Sequence, residues 1–268
     1  MTDSRVFDFK AGTLPLLVSI PHLGRQIPDE LRDGYTDVAR TVADTDWHLD
    51  LLYDFAEQAG ASVLSARFSR YIIDLNRPPS GESLYPGQTT TGLFPTETFR
   101  GESIYRNGCE PTPAEKEARL ARFHAPYHAK LRETVKAMRE RHGAVLLWEA
   151  HSIASLLPRL FDGKLPDLNL GTNSGKSCDP RILDAATQTL GGQSFTWVAN
   201  GRFKGGYITR EFSRPGNGVH AVQLEMCQST YMNEDAPFEY RPDLAAKVKP
   251  VVERMMTAAL EAMLQISR

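Results

Sequence analysis

Three short apolar runs set the tightest limit on how this chain folds: residues 14–20 (LPLLVSI), 144–148 (AVLLW) and 219–226 (VHAVQLEM). Each is too short for a buried helix, and the first two are almost continuously apolar, as strands covered on both faces are. Residues 62–66 and 71–75 read as further strands, with others near Leu168 and over 195–198. Between them lie helical stretches. Residues 46–59 place Trp47, Leu51, Leu52, Phe55 and Ala56 on one face before Gly60. Residues 114–141 are rich in Glu, Lys, Arg and Ala, with Pro126 expected to kink or split the helix. Another helix starts near Pro180, and 245–264 close the chain as an amphipathic helix. Strands alternating with helices predict an α/β fold, a single domain over 1–268 whose mixed, largely parallel sheet is covered on both faces. Residues 78–113 show no clear period, and so long a stretch in a compact domain is more often a functional loop than a connector.

Composition narrows the partners. A formal net charge of −2 on 268 residues makes no field that would gather nucleic acid or an anionic membrane surface. No apolar run nears the roughly 20 residues that span a bilayer, and the N-terminal MTDSRVFDFK lacks the apolar core of a signal peptide. Cys109, Cys178 and Cys227 are odd in number and widely spaced, which suits a reducing cytoplasm rather than a disulfide framework.

Ligands of open α/β sheets bind outside the carboxyl ends of the strands. His22 follows the first apolar run, His151 lies just past the second and Glu225 closes the third. Two histidines and a carboxylate suffice for a catalytic zinc, which keeps a position for water. A strand-end histidine can equally be a structural one. The third ligand would be a carboxylate near the next helix, where DTDWHLD (44–50) offers three acids. Asp44 or Asp46 could instead cap that helix. If Trp47 faces the core, Asp46 is free to face the cleft, so Asp46 is preferred to Asp44. The run RYIIDLNR (70–77) adds Arg70, Asn76 and Arg77, and Arg210 follows the diglycine Gly205-Gly206. A planar guanidinium matches a carboxylate in two-pronged fashion. Arg70 could equally pair with Asp74. Three further signals are set aside. The phosphate-loop ending Gly175-Lys176-Ser177 has Leu170 where the motif needs glycine. His124 and His128 share a helical face, but Pro126 between them favours a packing or surface role. Cys178 and Cys227 have no base nearby.

At these residues the chain resembles the N-formylglutamate amidohydrolase (N-formylglutamate deformylase) family. The matching pieces run in order: Ser19-Ile20-Pro21-His22, Asp44-Thr45-Asp46-Trp47, Ser69-Arg70-Tyr71 to Asp74-Leu75-Asn76-Arg77-Pro78-Pro79, Thr91-Gly92-Leu93 and Tyr127-His128. Then come Glu149-Ala150-His151-Ser152, Gly171-Thr172-Asn173 with Gly175-Lys176-Ser177-Cys178, Gly205-Gly206-Tyr207 and Gln223-Leu224-Glu225. The resemblance implies a three-layer α/β/α fold similar to zinc carboxypeptidases. It implies one zinc on His22, Asp46 and His151, with Glu225 as base. Carboxypeptidases carry a glutamate three residues after the first histidine; Arg25 stands there, which moves the third ligand to Asp46. Glu149 stands where many relatives have aspartate, as an acid behind the metal ligands. The implied reaction hydrolyses N-formyl-L-glutamate to formate and L-glutamate in histidine degradation, with Arg77 and Arg210, joined by Arg70 and Asn76, holding the small acidic substrate. Two alternatives stand beside it: a hydrolase of other N-acyl amino acids or small peptide amides, and a non-catalytic binder of acidic ligands.

Overall fold

The computed structural model describes residues 5–84, 87 and 89–267. Residues 1–4 of the N-terminal stretch, and 85, 86 and 88 of the 78–113 stretch, lie outside it. The strands are β1 (Phe7–Lys10), β2 (Leu16–Ile20), β3 (Ser62–Ala66), β4 (Val145–Ile153), β5 (Leu168–Gly171), β6 (Trp197–Ala199) and β7 (Val219–Cys227). They form one sheet in the order β1-β3-β2-β4-β7-β5-β6. The central four, β3, β2, β4 and β7, run parallel. β1 joins β3, and β5 joins β7, antiparallel, while β6 lies parallel to β5. The sheet is mixed with a parallel centre, as the alternation of elements predicts.

Helices α1 (Asp29–Arg32), α2 (Asp37–Arg40), α3 (Leu49–Leu52) and α4 (Asp54–Gln58) precede β3. Then come α5 (Pro113–Arg119), α6 (Ala125–His142), α7 (Pro180–Gln188), α8 (Tyr207–Phe212) and α9 (Pro242–Ile266). Two cores sandwich the sheet. On one face Leu16, Val18, Leu146, Trp148, Val222 and Leu224 pack with Leu52 of α3, Ile182 of α7 and Val252 and Met255 of α9. On the other, Leu17, Val145, Leu147, Val219 and Ala221 meet Leu131 and Val135 of α6 and Ile208 and Phe212 of α8. No helix among the described residues is long and apolar enough to cross a membrane.

Three local expectations change. Residues 71–75 are not a strand but a turn-rich segment, with buried Tyr71, Ile72 and Ile73 filling the second core. The 46–59 helix starts later and breaks in two. His48 takes a left-handed φ of 60°, α3 begins at Leu49, Tyr53 interrupts, and Leu51 points outward. Neither Asp44 nor Asp46 is a cap there, since His48 holds the cap position. The 114–141 stretch is split, as expected, into α5 and α6, and Pro126 sits at the start of α6, where a missing N–H costs nothing. The irregularity is taken up upstream, by a π-helical turn over Leu120–His124. β4 also runs on past Trp148 to Ile153.

That last extension builds the site. Side chains alternate across a strand, so Val145, Leu147, Glu149 and His151 share one face of β4, the first two apolar and the next two ionisable. On β7 the same face carries Val219, Ala221, Gln223 and Glu225. The register pairs Glu149 with Gln223 and His151 with Glu225. Both strands thus turn polar at the same level, at the carboxyl end of the parallel centre. All four of these polar side chains are buried.

Candidate metal centre

Three elements converge on this polar end. His22 follows β2 on the turn begun by Pro21, and its carbonyl accepts a hydrogen bond from the Asp46 N–H at 3.0 Å. That bond ties the segment before α3 to the end of β2. His151 arrives from β4, so the sequence-predicted trio is brought together. One ligand atom from each of His22, Asp46 and His151 lies within 4.8 Å of the others, all three residues buried. Asp44 is turned away, its Oδ2 accepting from the Phe99 N–H at 2.8 Å.

The two imidazoles are oriented alike. His22 Nε2 lies 2.7 Å from Asp74 Oδ1, and His151 Nε2 lies 2.7 Å from Glu149 Oε1. A carboxylate behind each ring fixes its tautomer, with the N–H on Nε2 and the Nδ1 lone pair directed inward. Both Nδ1 atoms face Asp46 Oδ2, at 3.7 Å from His22 and 3.0 Å from His151. Two lone pairs and a carboxylate in a buried space repel unless positive charge sits among them. His22 Nδ1 and Asp46 Oδ1 find no hydrogen-bond partner among the described residues. Burial alone would depress the His151 pKa, but the charge of Glu149 and the bond to Asp46 outweigh it and hold the ring up to about 10. Burial likewise opposes ionisation of Asp46, yet the two histidines hold it below the usual carboxylate range. Donor set, orphaned atoms and field all fit a metal cation.

Asp74 is the residue the sequence reading undervalued. Besides His22 it accepts from the Asn76 N–H at 2.8 Å and from Arg70 at 2.7 Å, and Arg77 approaches to 3.9 Å. Burial resists its ionisation, but His22, Arg70 and Arg77 hold its carboxyl well below the usual range. Arg70 is the partner of Asp74 and lines the cleft as well. Glu149 is fixed in turn by Thr209, whose N–H donates to Oε2 at 3.0 Å and whose hydroxyl also donates to it. Asn76 Nδ2 lies 3.0 Å from His151 Nε2, and its Oδ1 accepts from the Ile208 N–H at 2.9 Å. Gly206 explains itself here, for a Cβ would stand 2.3 Å from Asn76 Nδ2.

A cleft opens onto the cluster. His22, His151 and Glu225 line it, as do Arg70, Asn76 and Arg77, with Thr90, Thr91 and Phe99 from the 78–113 stretch. Burial pushes the Glu225 carboxyl up to about 8, against the opposing pull of His151; Gln223 donates to it at 3.3 Å. Arg210 is not brought to the lining. It sits on α8, its guanidinium donating to the Gly205 and Leu84 carbonyls. Arg202, which no sequence signal singled out, does line the cleft. It lies in a loop after β6 with no motif around it. The glycines before α8 drew attention to Arg210 instead.

Known proteins resemble the chain over most of its length. The family model described as N-formylglutamate amidohydrolase matches residues 14–232. An N-formylglutamate deformylase from Pseudomonas putida is 48% identical over 260 residues, covering 96% of this chain and 96% of that protein. Its namesake from Pseudomonas aeruginosa is 48% identical over 258 residues, covering 95% and 96%. Among solved structures, an N-formylglutamate amidohydrolase from Ralstonia eutropha JMP134 superposes with a TM-score of 0.75 at 26% identity, over 98% of this chain and 97% of that one. The gene product Atu2144 from Agrobacterium tumefaciens shares the fold, with a TM-score of 0.72 at 21% identity over 96% and 95%.

Proposed function

This chain belongs to the N-formylglutamate amidohydrolase family, and we propose that it hydrolyses the formamide bond of N-formyl-L-glutamate to formate and L-glutamate, a step of histidine degradation. The observation that carries the reading is the inward convergence of His22 Nδ1, His151 Nδ1 and Asp46 on a cleft lined by Glu225 and three arginines. His22, Asp46 and His151 hold a zinc-class ion, which when bound polarises the formyl carbonyl and makes water acidic enough to ionise near neutral pH.

The chain's own residues do the rest. Asp74 and Glu149 hold the two imidazoles with their lone pairs inward. Glu225 accepts a proton from the attacking water as the new C–O bond forms, and delivers it to the nitrogen as the C–N bond breaks. A carboxyl held at about 8 by burial is mostly protonated at neutral pH, and positive charge in the cluster restores the carboxylate that a base needs. The substrate carries two carboxylates, each strongly hydrated in water, so the cleft must offer matched donors. Arg77 and Arg202 line the wall and supply charge there, while also holding loop carbonyls, Arg77 those of Thr91 and Asn76 and Arg202 those of Thr89 and Leu160. Arg70, engaged with Asp74, contributes charge. Arg210 stands behind, on the carbonyl of Gly205, where it steadies the loop that carries Arg202 and Gly206. The cytoplasm is the compartment this reading assigns, in keeping with three cysteines that all remain free thiols.

Formate release by purified, zinc-loaded protein tests the reading. N-formylglutamate should be turned over with kcat/KM at least about tenfold above N-formylalanine, since losing one charged hydrogen bond costs about 1.5–3 kcal/mol. Equal efficiency on the two would replace the dicarboxylate pocket with a broader N-acyl amino acid hydrolase. No formate from either would leave only a binder of acidic ligands.

A further inference from the structure

The 74–77 segment carries three residues of the site: Asp74 behind His22, Asn76 beside His151 and Arg77 at the cleft wall. It is not part of the sheet, so no strand ladder takes up its carbonyls. Buried backbone oxygens still need donors. His128 Nε2 lies 2.8 Å from the Leu75 carbonyl, and His124 Nε2 lies 3.0 Å from the Arg77 carbonyl. A carbonyl only accepts, so each ring carries its proton on Nε2 and donates.

We propose that His124 and His128 are positioning residues, which hold the 74–77 segment against the His22–Asp46–His151 cluster by donating to the carbonyls on either side of Asn76. The two rings stack with centroids 4.0 Å apart, and both side chains are buried. Tyr207 packs over both, and Phe212 stacks on His128, so α8 closes the far side. The same helix gives its Ile208 N–H to Asn76 Oδ1. The π-helical turn Leu120–His124 explains how both rings reach one short segment. Its extra residue per turn shifts His124 relative to α6, and such turns recur where a side chain must be re-aimed. Leu75 lies between the two residues that touch the metal-binding histidines, whereas the Arg77 carbonyl belongs to the residue facing substrate. The two histidines therefore divide the work: His128 sets the metal cluster, His124 sets Arg77.

The inference rests on the reading of the cluster as a zinc site, and its test separates the two. Zinc affinity of the purified full chain is measured by competition with a chromophoric chelator, with no substrate present. His128→Leu should weaken it about tenfold, the low end of what partners behind metal ligands contribute. His128→Gln, whose amide nitrogen falls near the position of Nε2, should restore it to within about threefold of the wild type on the same scale. If His128→Leu fails to fold, His128→Asn takes its place, being polar but too short to reach the Leu75 carbonyl. His124→Leu should leave zinc affinity and kcat unchanged while raising KM for N-formylglutamate roughly 2- to 10-fold, the scale of one neutral hydrogen bond. Zinc bound equally by wild type, His128→Leu and His128→Gln overturns the proposal while leaving the zinc site standing. Equal weakening in the Leu and Gln variants overturns it too, since the donor would then be irrelevant. A wild type that binds no zinc overturns both.

Discussion

Two pairs of buried histidines stand within one molecule, and they differ in what lies behind each ring. In the first, His22 and His151, each Nε2 meets a carboxylate, Asp74 or Glu149, at 2.7 Å. In the second, His124 and His128, each Nε2 meets a backbone carbonyl. The consequence is opposite in sign. Carboxylates behind and before His151 hold it up to about 10, so the pocket calls for positive charge. Burial, with His124 beside it, depresses His128 to about 3, so that pocket refuses charge. The i,i+4 spacing of His124 and His128 looks more like a metal motif than the 129-residue gap between His22 and His151, read from their numbers. Spacing is the weaker guide. A histidine is made into a ligand by the acid that orients it.

The largest effect should come from breaking the first pair. His22→Ala or His151→Ala should abolish stoichiometric zinc, read by metal analysis of the purified protein, because each removes one of three protein ligands. Asp46→Asn should lower occupancy likewise, and Asp44→Asn should not, since Asp44 is spent on the Phe99 N–H. Undiminished zinc in both histidine variants would dissolve the contrast between the pairs.

Next in size is Glu225. Glu225→Gln should retain zinc while lowering kcat by roughly 10²–10⁴-fold, the usual range for losing a positioned proton-transfer group. Turnover near that of the wild type would move the role to another acid, Glu149 first, although its two oxygens are already engaged by His151 and Thr209.

How far the sequence could go follows from the same contrast. The parallel sheet centre was legible, because β2, β4 and β7 are apolar runs that few other structures could bury. So were His22, His151 and Glu225, polar residues where such runs end. The end of β4 was misplaced because Glu149 broke the apolar run, although the period-2 pattern from Val145 through Leu147 to Glu149 and His151 continues unbroken. Polar residues in a buried strand look like a loop until their partners are known. Residues 71–75 failed in the opposite way, since an apolar run can fill a core without joining a ladder. Arg202 had no local signature, and Asp74 was legible only as a partner of Arg70, not of His22. Their place depends on contacts between segments far apart in the chain, which one sequence does not display.

A smaller effect separates the arginines. Arg77→Lys and Arg202→Lys should each lower kcat/KM for N-formylglutamate about tenfold or more, because lysine loses the two-pronged fit to a carboxylate. Arg210→Lys should cost less, because Arg77 and Arg202 line the cleft and Arg210 does not. Zinc content should not move in any of the three. An Arg210 effect equal to that of Arg202 would place a substrate carboxylate at α8 after all.

The smallest effect tests the second pair through acid stability. His128 is buried among His124, Tyr127, Tyr207 and Phe212, with the charge of Arg132 also opposing its protonation. Its folded pKa of about 3 lies below the ordinary imidazole value of about 6.5, so between those values the unfolded chain binds a proton that the folded chain does not. Stability must then fall as pH falls through that window, and above it the group costs nothing. His124, also lowered by burial, contributes acid loss of the same sign in this window, and Asp46 and Asp74 do so at lower pH, all three in wild type and variant alike. The difference between the wild type and His128→Gln therefore isolates one imidazole. In zinc-free protein, urea unfolding at pH 6 and pH 5 should show the wild type losing roughly 1 kcal/mol more than the variant over that unit, just under the value of one full proton. Identical losses would mean that His128 takes up its proton in the folded state, that its pocket tolerates charge, and that the two histidine pairs differ less than their surroundings imply.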